Sequence, residues 1–286
     1  MDKAIKKVRD DIAQLELEST ALERLRPHPK PSLPTSKLRL KVQDLSHPGA
    51  KVFFANSNPT NALSKAIEAV LSTLYEPANL NRHIPPTRSV TLILRPMVGV
   101  AYTTSVDMDD DHKEIHFSLN YIHDVSKRLP QPGQSGAEIQ GVILHEMVHC
   151  WQWNGLGTAP SGLIEGIADF VRLKAGLSPP QWRKGGAKWD AGYQTTAYFL
   201  EWVEDEMGVD SVRKINQALE TEKYDEQAFW RNLFGKDVED LWNEYLRSIG
   251  QGTKEAKPER EKGSQSIYLA KEVLNDQDQE EDDEAA

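Results

Sequence analysis

His145-Glu146-Met147-Val148-His149 is the stretch from which the rest of this 286-residue chain can be read. Residues four apart on a helix lie about 40° apart around its axis, so the two imidazoles project side by side. Glu146 stands one step off that line, within reach of a water held between them. The spacing is that of H-E-x-x-H, in which the rings bind Zn²⁺ and the carboxylate acts as general base. A solvated helix face carrying two histidines is the plainer alternative, and the flanking residues oppose it. Ile139, Val142, Ile143 and Val148 make the segment apolar enough to bury. Ser135-Gly136-Ala137-Glu138 has the form of a capping box and Asn154-Gly155 that of a helix stop, predicting a helix from about Gly136 to Trp153. A carboxylate buried beside two imidazoles is costly unless something pairs with it, and a cation would.

Catalytic zinc sites of this type take three protein ligands and leave one position for water. Gly162-Leu163-Ile164-Glu165-Gly166-Ile167-Ala168-Asp169-Phe170 predicts a second helix, with Ser161 as N-cap and Gly176 as stop. Glu165 and Asp169 share one face of it, among Leu163, Ile164, Ile167, Phe170 and Val171. Glu165 is the expected third ligand. Asp169 either accepts the N–H of a ligand histidine, fixing its tautomer, or pairs with Arg172 on the same face. His112, His116, His123 and Asp190 are the competing ligands. No histidine follows His149, which favours a carboxylate. Cys150, directly after His149, points about 100° away from it and is expected to be a buried small hydrophobe.

The run from Gly141 to Arg172, with Trp151-Gln152-Trp153-Asn154-Gly155 between its two acidic motifs, resembles the peptidases of plants and bacteria, also called basic secretory proteins. Lys188-Trp189-Asp190-Ala191-Gly192-Tyr193, Thr196-Ala197-Tyr198-Phe199-Leu200, and Leu233-Phe234-Gly235-Lys236 leading to Leu241-Trp242 are similar to that family as well. The resemblance spans roughly Lys37 to Gly250. It implies a zincin-type metallopeptidase with a glutamate as third zinc ligand, in the gluzincin manner. The family name describes basic, exported proteins, whereas this chain is acidic and shows no export signal.

Composition bounds the organisation. With 38% hydrophobic residues the chain holds one sizeable core, and its net charge is −10. Seven of the acids fall between Asp276 and Glu284, so the body is only mildly acidic, and no basic stripe suggests nucleic acid. The single cysteine excludes an intrachain disulfide. No apolar run serves as a signal peptide or membrane span, so a cytoplasmic location is expected. Ile5, Val8, Ile12, Leu15 and Leu22 predict an amphipathic helix over residues 1–26, and Pro27, Pro29, Pro31 and Pro34 a stiff linker over 27–36. The catalytic domain is expected over 37–250, followed by a disordered acidic tail over 251–286. The helix or the tail is a candidate surface for a protein partner.

The expected class is α+β, zincin-like: an N-terminal mixed sheet with helices, the metal helix, then a helical half. Strands are predicted at Leu38–Val42, Val52–Ala55, Val90–Leu94, Gly99–Thr104 and Glu114–Ser118, with a helix over Asn61–Leu74. Helices follow at about Gly192–Met207, Val209–Leu219, Glu226–Leu233 and Val238–Ile249, in the half that holds all seven tryptophans. The chemistry indicated is zinc-assisted hydrolysis of a peptide or protein substrate, with Glu146 as base. Tyr193, after glycines at 185, 186 and 192, is the first candidate donor to a developing oxyanion, and Tyr198 the second. A zinc hydrolase of non-peptide amides or esters and a non-catalytic binding protein are the rival readings.

Overall fold

Residues 36–75, 83–131 and 133–251 are described in a computed structural model. Strands β1 (Lys37–Val42), β2 (Ser89–Arg95), β3 (Ala101–Val106) and β4 (Asp109–Ser118) form one sheet in the order β1-β2-β4-β3. β1 pairs with β2 and β2 with β4 in parallel, and β3 returns antiparallel to β4 with Thr103 opposite Ile115. Alternation decides which face is covered: Val90, Leu92, Leu94, Ile115 and Phe117 are fully buried.

The helices among the described residues are α1 (Pro48–Asn56), α2 (Pro59–Leu74), α3 (Leu119–Arg128), α4 (Gln134–Trp151), α5 (Ser161–Lys174), α6 (Tyr193–Met207), α7 (Ser211–Ala218), α8 (Glu226–Phe234) and α9 (Val238–Ser248). The architecture is therefore α+β. Helix α4, the expected metal helix, packs against β3 and β4 on one side and α2 on another, and α5 and α6 lie together beyond it. The tryptophans knit the helical half: Trp189 meets Trp230 edge-on at 5.4 Å and Phe199 meets Trp242 at 5.5 Å. None of these helices is long and apolar enough to cross a membrane. The helix expected over 1–26 and nearly all of the linker and tail lie outside the described residues.

Two local expectations are corrected, and one helix is added. Val52–Ala55 lies in α1 rather than in a strand. Pro48 opens that helix and the His47 ring accepts the Gly49 N–H at 3.0 Å, so Ala50 and Phe53 enter the core three residues apart. The β-favouring Val-Phe-Phe run is overridden by that start and by burial. Helix α3 was not foreseen; Ser118, the last residue of β4, caps it by accepting the Tyr121 N–H at 3.2 Å. Nor do Ser135 and Glu138 form a capping box. The helix begins at Gln134 after Gly133, and both residues turn inward. The Ser135 hydroxyl donates to the Leu129 carbonyl at 3.1 Å, and the Glu138 carboxylate accepts from Arg172 at 2.8 Å and from the Tyr121 hydroxyl at 2.7 Å.

Arg172 and Glu138 are both buried, so losing one partner strands a charge away from water. Arg172→Met is expected to lower unfolding free energy by about 3–5 kcal/mol. Adding Glu138→Leu should recover part of that loss. Urea titration of the two variants reads both effects, and a double variant weaker than the single one would show that the pair is not coupled in this way.

Candidate metal centre

Helix α4 carries His145 and His149 on one line, and α5 crosses it carrying Glu165 and Asp169. Their donor atoms converge. His145 Nε2 is 3.2 Å from His149 Nε2 and 3.0 Å from Glu165 Oε2, and His149 Nε2 is 3.7 Å from the same oxygen. Among the described residues these three form the one group of ligand atoms close enough together, within 4.8 Å, to hold a metal ion. Ligands at ~2.0–2.1 Å from a tetrahedral zinc stand about 3.3 Å apart, which the three separations bracket. His145 is buried, while the side chains of His149 and Glu165 retain 13% and 18% exposure, so the cluster opens on one side.

Each imidazole is also held from behind. His145 Nδ1 lies 2.7 Å from Asp169 Oδ1, so this carboxylate accepts the Nδ1–H hydrogen bond and Nε2 faces Glu165 and His149. Arg172, the competing partner of Asp169, is engaged by Glu138 instead. His149 Nδ1 lies 3.1 Å from Gln152 Nε2, which also donates to the Ile164 carbonyl at 3.3 Å. The Gln152 Oε1 atom is buried and has no hydrogen-bond partner among the described residues. The three convergent donor atoms fit a bound cation.

Electrostatics point the same way. Burial alone would lower the His145 pKa, but Asp169 and Glu165 outweigh it and raise it to about 10. Burial alone would raise the Glu165 carboxyl, yet His145 and His149 hold it far below the usual carboxylate range. The pocket demands a positive charge. Burial drives the Cys150 thiol well above its ordinary value, and its sulfur faces the Glu146 carbonyl at 3.6 Å, as a packed thiol does.

Glu146 is buried beside the cluster, and the Thr103 hydroxyl of β3 lies 2.8 Å from its Oε2 and 2.9 Å from its backbone carbonyl. Tyr193 stacks on His145, ring centroids 6.1 Å apart and 14° from parallel. It sits at φ 47°, the left-handed region, at the start of α6. Close approach of α5 and its successor imposes this. A Cβ on Gly162 would meet the Asp190 carbonyl oxygen at 1.8 Å, and one on Gly166 the Thr196 methyl at 2.2 Å. Thr196 donates to the Trp189 carbonyl at 2.6 Å and accepts the Gly192 N–H at 2.9 Å, which fixes the turn before Tyr193.

The remaining candidates are elsewhere. Tyr198 packs on Trp182 and under Lys184, and Asp190 pairs with Lys188. His112 meets Ser89, His116 stacks on Tyr102, and His123 faces His47. Two participants escaped the sequence. Gln152 stands at i+3 from His149, a spacing that could have flagged it. Thr103 carries no such signal, because only strand pairing tells which face it takes.

The family model described as peptidase of plants and bacteria matches residues 35–245, a span that includes every residue of this cluster. No curated protein and no solved structure matches the chain.

The raised His145 pKa has a stability consequence for protein freed of divalent metal by chelation. A histidine that binds its proton more tightly when folded stabilises fully below its unfolded pKa, near 6.5, and loses that contribution as pH rises through about 10. The lowered Glu165 acts at the other end, contributing above its unfolded value near 4.5 and losing it only in strong acid. Unfolding free energy is therefore expected to fall between pH 6.5 and 10. A flat profile there, measured by denaturant titration, would contradict the charged His145.

Proposed function

This chain belongs to the peptidases of plants and bacteria, and we propose on that footing that it is a zinc-dependent peptidase. In this reading His145, His149 and Glu165 hold the metal, Asp169 orients His145, and Glu146 is the general base. The observation that carries it is the meeting of three ligand atoms in a pocket that calls for positive charge, with a carboxylate one residue away. A small mixed sheet whose antiparallel edge lies over the metal helix supports a zincin-like fold.

Bound zinc would polarise the scissile carbonyl and make an adjacent water acidic near neutral pH. Glu146 takes the proton of that water and later returns it to the departing amine. Asp169 keeps the His145 Nδ1 proton in place throughout, so the ring presents a lone pair at Nε2. Tyr193, stacked on the ligand ring, is the group assigned to the developing oxyanion.

Backbone geometry supports β3 as the substrate edge. Among the described residues β3 has β4 as its one neighbour in the sheet. The Ser118 N–H donates to the Val100 carbonyl at 2.9 Å, and these residues stand opposite each other by register. Hydrogen-bonded pairs alternate in an antiparallel ladder, so Tyr102 and Thr104 also bond to β4. The N–H and C=O groups of Ala101 and Thr103 consequently point away from the sheet, where an extended peptide can pair with them.

Two experiments test the reading. Elemental analysis should give about one zinc per chain, lost on His145→Ala or His149→Ala. Glu146→Gln should retain the zinc while losing nearly all hydrolysis of an internally quenched peptide library. Full zinc in the His145→Ala/His149→Ala double variant, or wild-type cleavage by Glu146→Gln, would sink it. For the substrate edge, a peptide hydroxamate should slow amide exchange at Ala101 and Thr103, and protection confined to Glu114–Ser118 would move the substrate elsewhere.

A further inference from the structure

Thr103 occupies two interfaces at once. Its backbone N–H and C=O lie in the sheet plane and face outward, by the ladder alternation that the Ser118–Val100 bond fixes. Its side chain stands perpendicular to that plane, on the face shared with Ile115 opposite, and so meets α4. There the hydroxyl lies 2.8 Å from Glu146 Oε2 and 2.9 Å from the Glu146 carbonyl. One hydroxyl carries one proton, and Oε2 at 2.8 Å is the nearer of the two acceptors and is not part of a helix ladder, so the bond goes to Oε2. The Glu146 carbonyl also serves the α4 ladder, which makes it the poorer competitor.

We propose that Thr103 is a positioning residue that holds the Glu146 carboxylate in register with a peptide lying along β3. The proposal rests on the peptidase reading above and deepens it. A substrate paired with the backbone of Thr103 is set, through a single residue, at a fixed place relative to the base. The place of the bond to be cut relative to the carboxylate is then set by two hydrogen-bonded contacts to one threonine, one through its backbone and one through its hydroxyl. Holding the base in one orientation spares the reaction the cost of arranging it. The surrounding strand supplies the rigidity, since Ala101 is buried on the same face and Ile115 and Phe117 lie fully within the core.

The test uses the full chain with Thr103→Val, which keeps the shape and the β-branch, and Thr103→Ser, which keeps the hydroxyl. On an internally quenched peptide chosen by the wild type from a random library, Thr103→Val should lower kcat by about 10- to 100-fold, as expected for loss of a hydrogen bond to a charged group. KM should stay within about twofold, zinc content should be unchanged, and Thr103→Ser should restore most of kcat. Wild-type kcat in Thr103→Val, an effect in KM alone, or a Thr103→Ser variant as slow as Thr103→Val would overturn the proposal. Crystal structures of wild type and Thr103→Val give a readout independent of turnover. The Glu146 carboxylate should leave its position in the valine variant, and a carboxylate unmoved there overturns the assignment. A wild type that binds zinc and cleaves no peptide would defeat the peptidase reading alone, and the crystallographic comparison would still decide the role of Thr103.

Discussion

A buried imidazole between two carboxylates is the constraint around which this molecule is arranged. His145 has lost its water, and Asp169 and Glu165 approach its two nitrogens from α5. Neither acid could stand so deep among apolar residues without a positive partner. The crossing of α4 and α5 is therefore fixed by charge as well as by packing. The demand for positive charge is built in. The same two helices are joined a second time by Arg172 and Glu138, so the cluster of His145, His149 and Glu165 hangs on a frame whose own ion pair is kept separate from it.

Much of the site was legible because its residues are close in sequence. His145, Glu146 and His149 lie within two turns of one helix, and Glu165 and Asp169 within two turns of the next, so helical spacing alone puts each set on a face. What spacing could not tell was whom Asp169 meets, because Arg172 stands at an equally plausible i+3 position on the same helix. The buried demand of Glu138, an acid the sequence seemed to assign to a helix cap, drew Arg172 away. The open choice at Asp169 and the misplaced cap at Glu138 have one cause: local patterns name the groups a residue can satisfy, and burial decides which of them it does. Val52–Ala55 failed similarly, its β-branched and aromatic residues being as content on a buried helix face as in a strand. The order of the sheet and the outward orientation of Thr103 depend on pairing between distant segments, for which a single sequence carries no direct signal.

The turn before α6 shows how small residues place a large one. Gly162 and Gly166 let the chain from Trp189 to Thr196 come within backbone contact of α5, closer than any side chain would permit. Thr196 then ties that chain to itself through two hydrogen bonds. The outcome is a tyrosine in a left-handed conformation with its ring against His145. Such a conformation costs of order 1–3 kcal/mol and persists only where its surroundings fix it. Here the fixing elements lie behind the ring, on the α5 side.

Among the described residues the outer edge of β3 has no strand beside it, and an edge open to one chain is open to pairing between copies of the protein. Unpaired strand edges are templates for self-association, and proteins blunt them with polar residues and bulges. Thr103, Thr104 and Ser105 offer no apolar strip. The strand is also short: it ends at Val106, where the pairing jumps from Lys113 to Asp109 with the extra residues on β4, so the stretch that a second chain can follow stops just past Ser105. That length is ample for a short peptide and poor for a growing stack. Colloidal safety and access for an extended ligand are thus set by the same short edge.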